Sequence, residues 1–284
     1  MKKINFLVAA VLLLLAGCKK NGGVATVRLH VNNFSISEEE FPLKSTPVGG
    51  YAGVKAITLA FYKPDGALQF STTQLREDAT TYTTFGEFEC PLPMGGYTMV
   101  VLGYGSTIPI TLNGMTEAIY TDDKVRETFV ATQTVEVNST QPLSLSATMN
   151  RVVAKVHVKS TDGRPESVET LKVTFSGGGK GVNPLTGLAT SNAGFSNTLQ
   201  PSTPIGSITN MINYLFLNSD EQLMDLTIEA LNSDGETVFQ KEVENVPMKR
   251  NRITVLTGQM YTAGSSSSFT VNTDYMADTL YVGF

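Results

Sequence analysis

Alternation of apolar and polar positions runs through the chain after residue 24, and no sustained 3.6-residue rhythm competes with it. The stretch 24–31 is a first strand candidate, with Val27, Leu29 and Val31 on one side. In Ile57-Thr58-Leu59-Ala60-Phe61 the residues Ile57, Leu59 and Phe61 share a face. Lys63-Pro64-Asp65-Gly66 then returns the chain into Leu68-Gln69-Phe70, the Asp-Gly pair supplying the positive φ of a tight hairpin. The same grammar recurs where 226–231 passes through Asn232-Ser233-Asp234-Gly235 into Thr237-Val238-Phe239. This repetition predicts an all-β protein of two similar sandwiches.

Val135-Glu136-Val137 and Leu143-Ser144-Leu145 predict strands around a loop at 138–141, and the β-branched run 152–158 starts afresh almost at once. The expected division is an N-terminal sandwich over 18–148 and a C-terminal one over 149–284, stiffly joined by a short linker. Segments 177–181 and 191–207 are poor in strand pattern and read as long surface loops. Ser265 to Ser268 form a spacer ahead of a terminal strand over 269–284. There Met276, Asp278, Leu280, Val282 and Phe284 lie on one face. Such a strand either closes its own sheet or pairs with the open edge of a neighbour.

The first residues change the picture from a β protein to an exported one. Lys2 and Lys3 precede an apolar run from Phe6 to Leu15, and Leu15-Ala16-Gly17-Cys18 fits the lipoprotein processing box. The run is far shorter than the ~20 apolar residues that span a bilayer. Residues 1–17 are therefore expected to be a signal peptide, cut between Gly17 and Cys18, with Cys18 carrying diacylglycerol through a thioether. At ~0.8 kcal/mol per buried methylene, two or three acyl chains hold a protein at a membrane essentially permanently. Without Lys2 and Lys3 the chain has 19 basic against 26 acidic side chains, a net charge of −7. Such a surface does not attract nucleic acid.

Catalytic constellations are missing from the pattern, and no enzyme activity, cofactor or metal is expected. The two histidines, His30 and His157, each sit in a strand pattern, and no cysteine or histidine spacing matches a metal site. Glu38-Glu39-Glu40 reads as a solvated loop, and Gly177-Gly178-Gly179-Lys180-Gly181 lacks the Gly-Lys-Ser/Thr order of a phosphate loop. With Cys18 lipidated, Cys90 is the one remaining thiol; its setting, Phe88-Glu89-Cys90-Pro91-Leu92, predicts a buried, inert residue. A glycan-binding lipoprotein is the competing class, weakened by the absence of tryptophan.

Three segments carry a family resemblance: the processing box, Met149-Asn150-Arg151-Val152-Val153-Ala154-Lys155-Val156, and the stretch from Val246-Pro247-Met248-Lys249-Arg250-Asn251-Arg252 through Thr257-Gly258. Together, in this order, they resemble the fimbrial subunit family of the Bacteroidales, which comprises fimbrillins and the related anchor and tip proteins. Phe61-Tyr62-Lys63-Pro64-Asp65-Gly66 is similar to the anchor-type members. The resemblance implies two transthyretin-like sandwiches with Greek-key connections. It also implies an outer-membrane, surface-exposed lipoprotein whose partners are other fimbrial subunits and host or bacterial surface receptors. Assembly would proceed by strand exchange, for which Val24, Val27, Leu29, Val31, Met276, Leu280, Val282 and Phe284 are the candidates. Polymerising members are cut after an arginine behind the first strand. Here no arginine lies between Arg28 and Arg76, and Lys44 is the basic residue of that loop. The departure favours an uncleaved, anchor-like or terminal subunit; the alternative is a shaft or tip subunit cut at Lys44, or by a protease of other specificity. Asp278-Thr279-Leu280 also fits an O-glycosylation pattern of the Bacteroidetes, with Thr279 as the candidate acceptor, although a three-residue match recurs by chance and a glycan there would obstruct strand insertion.

Overall fold

The computed structural model describes residues 23–35, 45–47, 51–77, 84–262 and 269–275. Gly17, Cys18, Lys44, Met276, Thr279, Leu280, Val282 and Phe284 lie outside them. Twenty strands and no helix make up the described residues. The first ten are β1 (Val24–Ser35), β2 (Ser45–Pro47), β3 (Ala56–Tyr62), β4 (Leu68–Leu75), β5 (Glu87–Pro93), β6 (Gly95–Tyr104), β7 (Ile110–Leu112), β8 (Ala118–Tyr120), β9 (Thr128–Val137) and β10 (Leu143–Arg151). The second ten are β11 (Val153–Ser160), β12 (Thr170–Phe175), β13 (Gly181–Asn183), β14 (Leu188–Ala189), β15 (Phe195–Leu199), β16 (Asn210–Phe216), β17 (Glu221–Leu231), β18 (Thr237–Lys249), β19 (Arg252–Gly258) and β20 (Thr270–Tyr275). The fold is all-β, as the period-two pattern predicts.

In the first half, β5–β1–β10 continues through a corner at Asn150 and Arg151 into β9–β6–β3–β4. The sheet thereby folds over one core, filled by Val27, Leu29, Phe61, Leu92, Met99 and Phe129 among others. In the second half, β16–β11–β19–β20 faces β15–β12–β17–β18 across a separate core that includes Val156, Phe175, Leu215 and Ile228. The pairings match strand for strand: β1, β3, β4, β5, β6, β9 and β10 repeat as β11, β12, β15, β16, β17, β18 and β19. In both halves the first strand runs parallel to the last, β1 with β10 and β11 with β19, whereas the other ladders of the two sandwiches are antiparallel. This is the order of a transthyretin-like sandwich, twice over, with the second copy extended by β20.

The two Asp-Gly hairpins are both present but are not copies of one another. The first joins β3 to β4, and the second joins β17 to β18, whose counterparts in the first half are β6 and β9. In each turn the glycine takes a positive φ, +83° at Gly66 and +80° at Gly235. Nothing lies within 4 Å of a Cβ built on either. Gly66→Ala therefore costs only the left-handed backbone penalty, about 1–2 kcal/mol, and urea unfolding should show that loss.

Two expected surface loops are corrected. Gly177, Gly178 and Gly179 are buried, and Gly179 bridges Phe216 at the end of β16, its N–H donating to the Phe216 carbonyl at 3.0 Å. A side chain at Gly178 would meet the Phe216 carbonyl at 2.8 Å, so glycine permits this approach. Within 191–207 the chain forms β15, which pairs with β12.

The halves are joined without a loop. Val152 alone separates β10 from β11, and residue 148 falls within β10. A third core, with Tyr62, Leu102, Tyr104, Tyr120, Val153 and Phe216, fills the space between the sandwiches. Beside it a small sheet ordered β14–β13–β8–β7 draws two strands from each half.

Candidate assembly interface

β1 is long enough to serve three neighbours. Its 24–30 portion pairs antiparallel with β5, its 33–35 portion pairs antiparallel with β2, and its other edge runs parallel to β10 from Val27 to Ser35. An extra residue between Val31 and Asn33 shifts the β10 register and marks the handover. The alternation of the sequence becomes a division of faces. Val27, Leu29 and Val31 are 1% exposed and point into the core, whereas Arg28 and His30 face outward to Glu89 and Glu87 of β5. Val24, the first of the strand-exchange candidates, is 52% exposed and contributes little to that core.

Cys90 lies opposite Val27 in β5. Burial, aided by the neighbouring Glu89 carboxylate, pushes its thiol up to about 11. At pH 8 only about a thousandth of such a thiol is ionised. Native protein should react with a thiol reagent at least 100-fold more slowly than the urea-unfolded chain. The raised value also sets a sign: the unfolded thiol releases its proton near 9 and the folded one near 11, so stability falls as pH rises through that window.

Where β10 ends, the chain builds a buried polar cluster that the pattern did not foretell. Arg151 is fully buried and its guanidinium meets Glu127 Oε1 at 2.7 Å. It also donates to the Tyr51 hydroxyl at 3.1 Å and to Asn251 Oδ1 at 3.0 Å. Tyr51 in turn donates to Glu127 Oε2 at 2.8 Å. Phe34, Tyr51 and Phe129 pack ring on ring around the charge, with the guanidinium carbon 5.1 Å from the Phe129 centroid. Burial, then the Glu127 carboxylate, raises the Tyr51 phenol far above its usual range, so it remains a donor. Asn251 belongs to the turn between β18 and β19, with φ +60°, and its N–H donates to Val153 O at 2.9 Å. One guanidinium thus holds the end of the first sandwich, the start of its last antiparallel strand and a turn of the second sandwich.

This geometry offers strand edges and cross-sheet locks. Among the described residues no three His, Cys, Asp or Glu side chains converge as metal ligands would. His157 is half-buried on β11, hydrogen-bonded to Asn210 at 3.1 Å, and desolvation lowers its pKa.

Residues 108–281 match the model of a family described as a family of unknown function, DUF6562. No curated protein matches the chain. Among solved structures, a candidate adhesin from Bacteroides ovatus is 10% identical with a TM-score of 0.53, over 87% of this chain and 96% of that one. The fimbrial anchor protein Mfa2 from Porphyromonas gingivalis is 14% identical with a TM-score of 0.51, over 89% and 99%. Candidate polysaccharide-binding proteins of the DUF1812 group from Bacteroides thetaiotaomicron give 10% and 0.50, over 89% and 99%. At these identities the likeness is one of fold, and it extends over both sandwiches. The chain belongs to the DUF6562 family, built on the double-sandwich fold that Bacteroidales adhesin-like proteins and a fimbrial anchor share.

Proposed function

We propose that the protein is a fimbrial subunit of the anchor-like or terminal kind, a lipoprotein held at the outer membrane through Cys18, with a role in cell adhesion. It assembles by β-strand pairing with other pilins, and its work is binding, not catalysis. The observation that carries this reading is the fold, similar over 89% of this chain to that of a fimbrial anchor protein. Two features of the chain support the uncleaved form. β1 supplies core side chains and has neighbours on both edges, so losing it would open the first sandwich. The sequence between Arg28 and Arg76 offers no arginine to a trypsin-like processing enzyme. Mass spectrometry of protein taken from its native membrane tests the reading. A lipidated peptide starting at Cys18 and continuous past Lys44 is expected. A mature N-terminus near residue 45 would overturn the anchor form in favour of a processed shaft or tip subunit.

A further inference from the structure

On one side of the second sandwich the two sheets end in β15 and β16, and residues 122–125, between β8 and β9, close over the gap between them. The slot this leaves has a volume of about 270 Å³, the small end of what ligand sites enclose. Deep in its lining is a polar group without a partner. Asn213 faces inward from β16, in line with the core residues Met211 and Leu215, and is 5% exposed. Its Oδ1 accepts from Asn197 Nδ2 of β15 at 3.1 Å, while its own Nδ2 finds no acceptor among the described residues. A buried amide N–H left this way lowers stability, and an acceptor carried in by a ligand removes the cost.

The rest of the lining suits a neutral molecule that both donates and accepts. Gly179 exchanges both backbone hydrogen bonds with Phe216, at 3.0 and 3.1 Å, so Phe216 turns its N–H and C=O away from β11. Strand alternation gives Ile212 the same orientation, and no described residue pairs with its N–H or C=O. Charges in the lining are already matched. Lys180 Nζ holds Asp123 at 2.6 Å and Arg126 holds Asp122 at 2.5 Å, which leaves solvent-exposed Lys124 as the remaining charge of the lining. Leu199 and Ile212, the latter 49% exposed, add aliphatic walls.

We propose that this slot binds one neutral sugar residue at the end of a glycan. Adjacent hydroxyls of a pyranose each donate and accept, which is what the Asn213 amide and the Ile212 backbone require of a ligand. One hydroxyl accepts from Asn213 Nδ2, admitted by a turn of the half-buried Asn197 side chain. The C–H face of the ring lies on Ile212 and Leu199, in place of a stacked aromatic. The slot is short enough to suit a single ring better than a length of peptide. Such a site works whether or not the chain assembles into pili.

Asn213→Leu is the decisive variant, because it keeps the volume and removes the unpartnered group. Methyl glycosides of glucose, galactose, mannose and N-acetylglucosamine are titrated into the full chain, and binding is followed by saturation-transfer NMR. Glucuronic acid, glycerol and a capped threonine tetrapeptide are the controls. At least one neutral glycoside is expected to bind saturably, and N213L to weaken it at least tenfold with its thermal melt unchanged or raised. No glycoside bound, or equal binding by N213L, overturns the proposal. So does a control that binds as tightly as the best glycoside: glycerol would mean an adventitious polyol only, glucuronic acid a charge-selected site and the tetrapeptide a strand site. Should N213L melt lower, Ile212→Ser at the exposed wall replaces it. A loss of at least threefold is then expected, and unchanged affinity overturns the site.

Discussion

Arg151→Ala should destabilise the protein by about 3–5 kcal/mol, read as a drop in the urea midpoint with the slope unchanged. The substitution strands the Glu127 carboxylate in a site closed by Phe34, Tyr51 and Phe129, and leaves Asn251 Oδ1 without its donor. Most of the loss is the cost of a buried carboxylate that has lost its guanidinium partner, not the worth of the pair, and the nearby Lys155 ammonium, which also interacts with Glu127, offsets part of it. The double variant Arg151→Met, Glu127→Leu should therefore recover much of the loss, since it removes both charges and keeps volume. A double variant no better than Arg151→Ala would show that packing around the guanidinium, and not the ion pair, sets the stability. Because Asn251 sits in the second sandwich, the single variant should also lower the protection of amide hydrogens around the β18–β19 turn.

Leu29→Asp should be more damaging still, and it separates the strand-exchange candidates by role. Leu29 is 1% exposed at the centre of β1, opposite Phe88 of β5 and Leu145 of β10, with apolar side chains around it. A carboxylate there has no partner, and more than about 4 kcal/mol is expected to be lost, enough to unfold the first sandwich. Leu29→Ala should cost about 2–5 kcal/mol through the cavity it leaves. Val24→Asp, at the exposed start of the same strand, should lie within about 0.5 kcal/mol of the parent. Circular dichroism against urea for the three variants checks the gradient. A flat response along β1 would mean that the strand is not part of the cooperative core.

The features legible in the sequence were those written locally. The hairpins at Asp65-Gly66 and Asp234-Gly235 announce themselves because a turn glycine and flanking alternation sit within a dozen residues. The run 152–158 is legible as β11 because β-branched residues occupy both faces, one toward the second core and one toward the space between the sandwiches. β15 was missed because Phe195-Ser196-Asn197-Thr198-Leu199 is an edge strand, polar and half-covered, with none of the contrast that marks a core strand. The glycines at 177–179 misled in the opposite direction. Their lack of side chains looks like a loop and is instead what lets the backbone pack beneath Phe216. The Arg151 cluster could not have been read at all. Its members come from positions 51, 127, 151 and 251, so only the folded chain brings them together. The lipid site, the processing loop and the terminal strand remain sequence readings, because Cys18, Lys44 and residues 276–284 lie outside the described residues.

The parallel pairing of β1 with β10 has a mechanical meaning. Under the proposed lipid anchor at Cys18, a pull would load β1 from its Val24 end, while a load on the second sandwich would pull β10 from its Arg151 end, where the chain passes into β11. Two parallel strands drawn from opposite ends slide along one another, so every rung from Val27 to Ser35 resists together. Antiparallel strands drawn from the same end would open one rung at a time. With that anchor the topology would put β1 in shear, the loading direction in which a short ladder bears the greatest force before it yields.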